Sequence, residues 1–498
     1  MENINTISNN LEIDKPLVED SNNINVDQSD SDSNSLSNME KEVFDNNSNE
    51  YEIEDLNVDQ VATCKEKYFS KLSPGSLRGS TFNLAILSLG IALLALPKAF
   101  EKTGIIFYVL AITLVGIITY YMLDILIIAS KKKDVLSYGD LVKEYYGENW
   151  GKFMNVVIIL IALLTNITYQ IMIYKILAGF FYRVIPSYTE RYNEIDHFMD
   201  DPDNYWNQRW FSASIMLPFA CIFYLPLCLL KDVSKLRFAT ILGIVCVIIQ
   251  TLILIIQLPM FIKEYSMDSS VKINVYNVEK SFDSSLTFFT SFANLFFAFN
   301  LHYAIFPIYR TLSKNTKRRT RKVMLRGMIL IVIIYIVFGV TGYLTQPKNT
   351  PEIIINRNGL KGSKDVVMTI CRLIVLTVLI VKYPANYIPL RVSFFKLAFK
   401  TDVIDTKRNI IVTVVITLMS ATIGAMYSNI EKFITFIGGI GGVINGLIFP
   451  ALLYIRSKKQ SVFHWKSILV ISTSFILSVF GIISVVVNIM DIFKEITN

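Results

Sequence analysis

The five cysteines, Cys64, Cys221, Cys228, Cys246 and Cys371, include no CxxC pair and no metal-ligand spacing. The three histidines, His197, His302 and His464, fall in no Ser-His-Asp pattern, and no pair of carboxylates stands at an acid–base spacing. These residues call for no enzyme chemistry, no metal and no cofactor. A different pattern repeats instead. Inside two apolar runs a weak helix former precedes a proline by seven residues: Gly90 and Pro97 in NLAILSLGIALLALPKAF (83–100), and Asn300 and Pro307 in NLFFAFNLHYAIFPIY (294–309). A helix interrupted there leaves N–H groups free at the start of one half and C=O groups free at the end of the other. Interruptions at equivalent positions are the best sequence pointer to the binding site of a transporter. Glycine and proline are also common in ordinary membrane helices, where neighbours satisfy the freed groups, so a simple kink is the competing reading. His302, just beyond the second interruption, could exchange protons or be a satisfied helix-interface histidine.

The elements that must hold these residues follow from composition. Of 498 residues 52% are hydrophobic and only 18% charged, against about 25% charged in soluble domains. The apolar residues gather in runs of about 20 or more, long enough to cross a bilayer. Eleven spans can be drawn, at about 79–101, 105–130, 152–184, 209–230, 238–262, 284–308, 324–346, 365–390, 408–428, 430–455 and 466–490. Lipid satisfies no backbone groups, and the runs lack the alternation of a barrel, so the expected fold class is an all-α polytopic membrane protein. Spans one and six then become equivalent members of two five-helix inverted repeats, with span eleven added.

Charge orients the spans. Residues 1–63 hold sixteen acidic residues against Lys15 and Lys41, leaving 46 basic against 25 acidic residues in the remainder. Residues 1–70 are rich in Asn, Ser, Asp and Glu and are expected to form a disordered cytoplasmic tail, with residues 71–498 the transmembrane domain. Lys131–Lys133, KDVSKLR (231–237), RTLSKNTKRRTRK (310–322), Lys396 to Arg408 and RSKK (456–459) alternate with acidic or mixed loops, including 189–204 and the segment around Glu264, Asp268 and Glu279. This bias places the N-terminus in the cytoplasm and the C-terminus on the other side. It explains the basic surplus without nucleic acid. No signal peptide is visible, so the first span should act as its own insertion signal.

Several phrases resemble the amino acid/auxin permease family: FNLAILSLGIALLALPKAFEKTG (82–104), SYGDLVKEYYG (137–147), LPLCLLKDVSKLRFAT (225–240), FFAFNLHYAIFPIY (296–309), GYLTQ (342–346), YPANYIPLR (383–391) and IGGIGGVINGLIFPALLY (437–454). They stand in the family's order and cover nearly all of the chain after the tail. The resemblance implies an eleven-helix amino acid transporter that works by alternating access and, in many members, is driven by sodium or protons. A zwitterion needs a carboxylate site and an ammonium site, and a broken helix offers both. On this reading Ser88, Leu89, Gly90, Ile91 and Ala92 meet the substrate backbone, Phe299 and Asn300 face it, and Tyr169 with Asn166 one turn earlier closes the other side. Packing, an interhelical hydrogen bond and helix association are the competing roles of Phe299, Tyr169 and Asn166.

Departures from the family pattern are informative. Where the first break often carries Gly-x-Gly, this chain has Gly90-Ile91-Ala92, which narrows the space for a close backbone approach. The stretch from Tyr169 resembles Y-x-x-x-x-x-Asp but ends in Lys175, which either snorkels to the interface or belongs to an outer gate. Sodium-coupled relatives tend to carry Ser or Thr where this chain has Lys382, and Asn where it has Ile86. Both oxygen ligands are therefore missing. The Lys382 ammonium would supply the positive charge that sodium otherwise brings between spans one and eight, giving sodium-independent and proton-linked transport. A snorkelling lysine is the alternative, although Arg391 at that end is about 13 Å away at helical rise. A receptor that senses an amino acid with little flux is the rival function. A channel is disfavoured by the lack of an acidic ring or filter sequence. The plasma membrane and a vacuole or lysosome-like membrane both remain open.

Overall fold

The computed structural model describes residues 76–184, 205–229, 237–266, 287–312, 316–357, 366–401, 405–427, 429–458 and 463–497. The expected tail (1–70) and acidic loop (189–204), nearly all of the basic loop at 231–237, and the segment with Asp268 and Glu279 lie outside the described residues. The helices, in chain order, are α1 (Leu77–Ser88), α2 (Ile91–Thr103), α3 (Ile105–Lys133), α4 (Tyr138–Tyr146), α5 (Glu148–Val184), α6 (Tyr205–Phe219, continued as a π-helical turn to Tyr224 and a short helix to Cys228), α7 (Arg237–Ser266), α8 (Thr287–Ala298), α9 (Ile305–Thr311), α10 (Lys317–Thr345), α11 (Val366–Ala398), α12 (Thr406–Met426), α13 (Ile430–Lys458) and α14 (Trp465–Thr497). Among the described residues nine of these are long and apolar enough to cross a membrane, and α1 with α2 forms a tenth span bent by 54°. The expected span six is the pair α8 and α9, too short singly to span and separated by residues 299–304. The protein is an all-α, multi-pass integral membrane protein.

Local sequence sets the helix starts. Ser76, Thr316, Asp405 and Asn429 each accept a backbone N–H three residues on, satisfying one of the donors that a helix start leaves unpaired. Long helices then show apolar stripes outward. On α3, Leu110, Leu114, Ile117 and Tyr121 lie on one face, each more than half exposed, as a lipid-facing helix requires.

The halves of the two broken spans cross over. α1 packs against α9 and α2 against α8, the arrangement of two repeats of opposite orientation. α10 runs along both halves of the first break, and α11 packs along α5. The glycines of IGGIGG let α13 come close to α8, since a Cβ on Gly442 would stand 2.7 Å from Phe296 Cβ and one on Gly438 would overlap the Ala293 carbonyl. α13 is π-helical over Ile437–Gly442 and Ile444–Ile448.

Side-chain ties define two faces. On the basic face Arg321 pairs bidentately with Asp124 at 2.8 Å for both contacts, Lys132 donates to the Ser457 carbonyl at 2.8 Å, and Lys396 pairs with Asp140. On the opposite face Lys102 of α2 pairs with Glu431 of α13, and Lys175 of α5 with Glu352 at 2.6 Å. The Lys175–Glu352 pair is compatible with both readings of Lys175, an interfacial side chain and a member of an outer gate. Two further differences from expectation have local causes. α4 is an additional helix, amphipathic and too short to span, built from SYGDLVKEYYG. α11 continues through Pro384 and Pro389 to Ala398, beyond the expected end at 390; proline is tolerated inside a membrane helix where packed neighbours such as α5 and α7 satisfy the freed backbone groups.

Candidate functional site

The first break consists of Leu89 and Gly90. α1 ends on Leu89, whose N–H still reaches the Ala85 carbonyl at 3.0 Å, and α2 starts at Gly90 without any side-chain cap. The N–H groups that open α2 are therefore available to an anionic group. The second break runs from Phe299 to Ala304, and α9 likewise starts uncapped. His302 thus lies within this break and not just past it.

One side chain fastens the two breaks together. The Tyr335 hydroxyl of α10 is 2.9 Å from both the Ser88 and the Ala298 carbonyl oxygens and 2.6 Å from Ser88 Oγ, which itself donates to the Ala298 carbonyl at 2.5 Å. Ser88 therefore joins two helix ends, a structural task. The Phe299 ring stands edge-on to Tyr335 with centroids 5.4 Å apart. Ile91 and Ala92 are buried in the first turn of α2.

Lys382 of α11 reaches the first break. Its ammonium donates to the Leu89 carbonyl, and among the described residues no carboxylate pairs with it. The residue is only 7% exposed. A Cβ on Gly90 would lie 2.5 Å from Nζ, so the missing side chain at Gly90 makes the room the ammonium occupies. A cation at this place meets the negative end of α1. Ile86, at the position of the second missing oxygen ligand, packs on Gly243 of α7 instead, where a Cβ would lie 2.9 Å from Ile86 Cδ1.

A polar chain borders the breaks from the α5 side. Tyr303 donates to Asn386 Oδ1 at 2.9 Å, and Asn386 Nδ2 lies 2.9 Å from Asn166 Oδ1 and 3.1 Å from the Ala162 carbonyl. Asn166 Nδ2 and Asn300 Oδ1 are buried without a hydrogen-bond partner among the described residues. Buried amide atoms left open in this way are suited to a ligand. Tyr169 meets the Tyr383 ring edge-on at 6.4 Å and has Tyr303 and Tyr335 as electrostatic neighbours. Tyr383, next to Lys382, stacks on Tyr224 at 3.8 Å and bonds to Ser420 at 2.9 Å.

The structure thus gathers Ser88, Leu89, Gly90, Phe299, Tyr169, Asn166 and Lys382 around the two breaks. His302 lies in the second break, but its side chain packs against α13. A Cβ on Gly446 would lie 3.0 Å from its Cε1, and both ring nitrogens are without a hydrogen-bond partner among the described residues. Sequence reasoning missed Tyr335, Tyr303 and Asn386. Asn386 lies in YPANYIPLR and Tyr303 in FFAFNLHYAIFPIY, phrases already singled out, whereas Tyr335 lies in an apolar run where a tyrosine carries no signal.

Comparison with known proteins gives the family and the fold. The family described as "Transmembrane amino acid transporter protein" matches residues 73–493. The sodium-coupled neutral amino acid symporter 2 of Danio rerio is 26% identical over 412 residues, covering 80% of this chain and 79% of that protein. The amino acid transporter AVT6E of Arabidopsis thaliana is 23% identical over 390 residues, with 77% and 76% covered. Among solved structures, MhsT in complex with L-phenylalanine superposes with a TM-score of 0.53 at 13% identity, over 84% of this chain and 99% of that one. Mhp1, a nucleobase-cation-symport-1 family transporter, gives 0.51 at 10% identity, over 84% and 91%. These two likenesses concern the fold.

Proposed function

The chain belongs to the transmembrane amino acid transporter family, and on that premise we propose that it carries neutral amino acids by alternating access without sodium. The uncapped start of α2 receives the substrate carboxylate, and the open amide oxygen of Asn300 with the carbonyls of the second break receives the ammonium. Phe299, Tyr169 and Ile91 offer an uncharged surface to the substrate side chain, which favours neutral cargo. Lys382 is the single observation that carries the sodium-independent reading. Its ammonium holds the Leu89 carbonyl at the end of α1, so a positive charge is already fixed between α1 and α11. The symporter of Danio rerio is sodium-coupled by name; this chain would replace the ion by a side chain.

Proton exchange at Lys382 or at His302 would couple transport to a pH gradient. The basic face is then the cytoplasmic one, and residues 1–70 form a cytoplasmic tail that the transport cycle does not need.

The test is uptake of a panel of radiolabelled amino acids into proteoliposomes with imposed sodium or pH gradients. Wild type should transport equally well when choline replaces sodium. Lys382→Thr should lose most activity, and sodium should restore part of it by regaining an oxygen ligand. Sodium-driven uptake by wild type, or full activity of Lys382→Met, rejects the surrogate role and leaves the family assignment standing.

A further inference from the structure

The neighbours of Tyr383 form a buried polar cluster that the transport reading leaves unused, with α5, α6, α11 and α12 packed around it. Tyr383 of α11 bonds to Ser420 of α12 at 2.9 Å, and Thr417 and Gln170 stand beside the same hydroxyl. Tyr224 closes the cluster from α6, its ring stacked on that of Tyr383. It ends the π-helical turn Ala220–Tyr224, and such turns are frequent at functional sites. All five side chains are fully buried. Even so, the Tyr224 hydroxyl, Thr417 Oγ1 and both amide atoms of Gln170 close no hydrogen bond among the described residues. Buried polar atoms left open together are costly unless a ligand or water meets them. Each of these three side chains can donate, two through a hydroxyl and one through an amide N–H.

Charge decides which ligand fits. The helices around the cluster hold one carboxylate, Glu148 at the first residue of α5, and it pairs with Lys152 at 2.9 Å. The charged side chains that α11 brings to this region are both cations. Lys382 is the residue before Tyr383, and Arg391, two turns further on, donates to the Cys228 carbonyl at 3.1 Å and to Asn409 Oδ1 at 3.3 Å. A buried ammonium with no carboxylate paired to it lacks a counter-charge, and burying a charge is costly unless it is paired. A metal cation in the cluster would be repelled by Lys382. Water would meet the open donors but leave the ammonium unbalanced. A small anion does both. Lys382 reaches toward α1 while Tyr383 turns to α12, so the cluster and the first break are separate places along α11.

We propose that this cluster binds one monovalent anion of halide size as the counterion of Lys382. Tyr224, Thr417 and Gln170 donate hydrogen bonds to it, and Lys382 attracts it through the low-dielectric interior. The site rests on the reading above that Lys382 keeps a positive charge inside the bundle; it does not depend on which amino acid is carried.

Equilibrium binding of radioactive chloride to the full-length protein in nanodiscs, with gluconate holding the ionic strength constant, tests it. Wild type should bind one ion per chain, displaced by bromide, and its melting temperature should rise when chloride replaces gluconate. Tyr224→Phe and Thr417→Val each remove one donor with little change of shape, and each should weaken binding by about tenfold. Lys382→Met should abolish it. Gln170→Glu supplies a fixed carboxylate, so that variant should bind no chloride and should melt at the same temperature in chloride and in gluconate. Absence of saturable chloride binding to wild type that melts cooperatively overturns the site. So does wild-type affinity in both Tyr224→Phe and Thr417→Val, which moves any chloride elsewhere. Binding retained by Lys382→Met rejects the lysine as the attracting charge, and the proposal with it. Sodium-driven uptake by a wild type that binds chloride as described rejects the sodium-surrogate reading alone and supports the anion site.

Discussion

The Tyr335 hydroxyl lies within hydrogen-bond distance of Ser88 Oγ and of the carbonyls that end α1 and α8, so its removal takes this donor from the Ser88 carbonyl and leaves the Ala298 carbonyl to Ser88 Oγ alone. A buried acceptor left without a donor costs about 1–3 kcal/mol. Tyr335→Phe should therefore fold with a lower melting temperature, and its uptake rate in proteoliposomes should fall by about tenfold as the two breaks lose their common anchor. A variant with wild-type melting and wild-type rate would remove Tyr335 from the site. Gly90 is constrained from the other side. A leucine there collides with the Lys382 ammonium and fills the space before the first N–H groups of α2. Gly90→Leu should abolish substrate binding while expression changes little, read by equilibrium binding on purified protein. Unchanged binding moves the site elsewhere. The glycine and the lysine were both legible in the sequence; their mutual contact was not, since it depends on how α11 is rotated against α1.

The closeness of α8 and α13 is set by glycines. A Cβ on Gly438 would meet backbone, the Ala293 carbonyl, which cannot turn aside as a side chain can. Gly438→Ala should thus separate the two helices and destabilise the protein by more than the roughly 1–3 kcal/mol usual for overpacking. Gly446→Ala is milder by the same measure, because its Cβ would meet the His302 ring at 3.0 Å. Melting temperatures of the two variants in detergent should rank in that order, and the reverse ranking would contradict the packing described. IGGIGG could be read as a close-packing stretch, but the π-turns it forms could not. They come from the fit of α13 between α8 and α14, which no local propensity encodes.

Across the whole molecule, the 310–326 segment carries about eight Lys and Arg, so that face should be cytoplasmic. Tags at Met1 and Asn498 should be protected on opposite sides of the membrane; protection of both on one side excludes eleven spans. Deletion of residues 1–63 should leave uptake per folded molecule intact, since that segment holds too little apolar surface to pack into the bundle. Loss of binding in a correctly folded truncated protein would show that the tail takes part. The spans and both breaks followed from the sequence alone, because in lipid each backbone group must be satisfied within its own helix and any lapse leaves a mark in residue type. Which polar groups meet could not follow. Ser88 and Tyr335 are 247 residues apart, Asn166 and Asn386 220, and Leu89 and Lys382 293. The same separation hid the pairing of Lys175 with Glu352, 177 residues apart. Periodicity tells which face of a helix is apolar, but the rotation and depth of one helix against another are decided by packing of the whole bundle. That packing alone brings a lysine to a carbonyl, and a tyrosine to two helix ends.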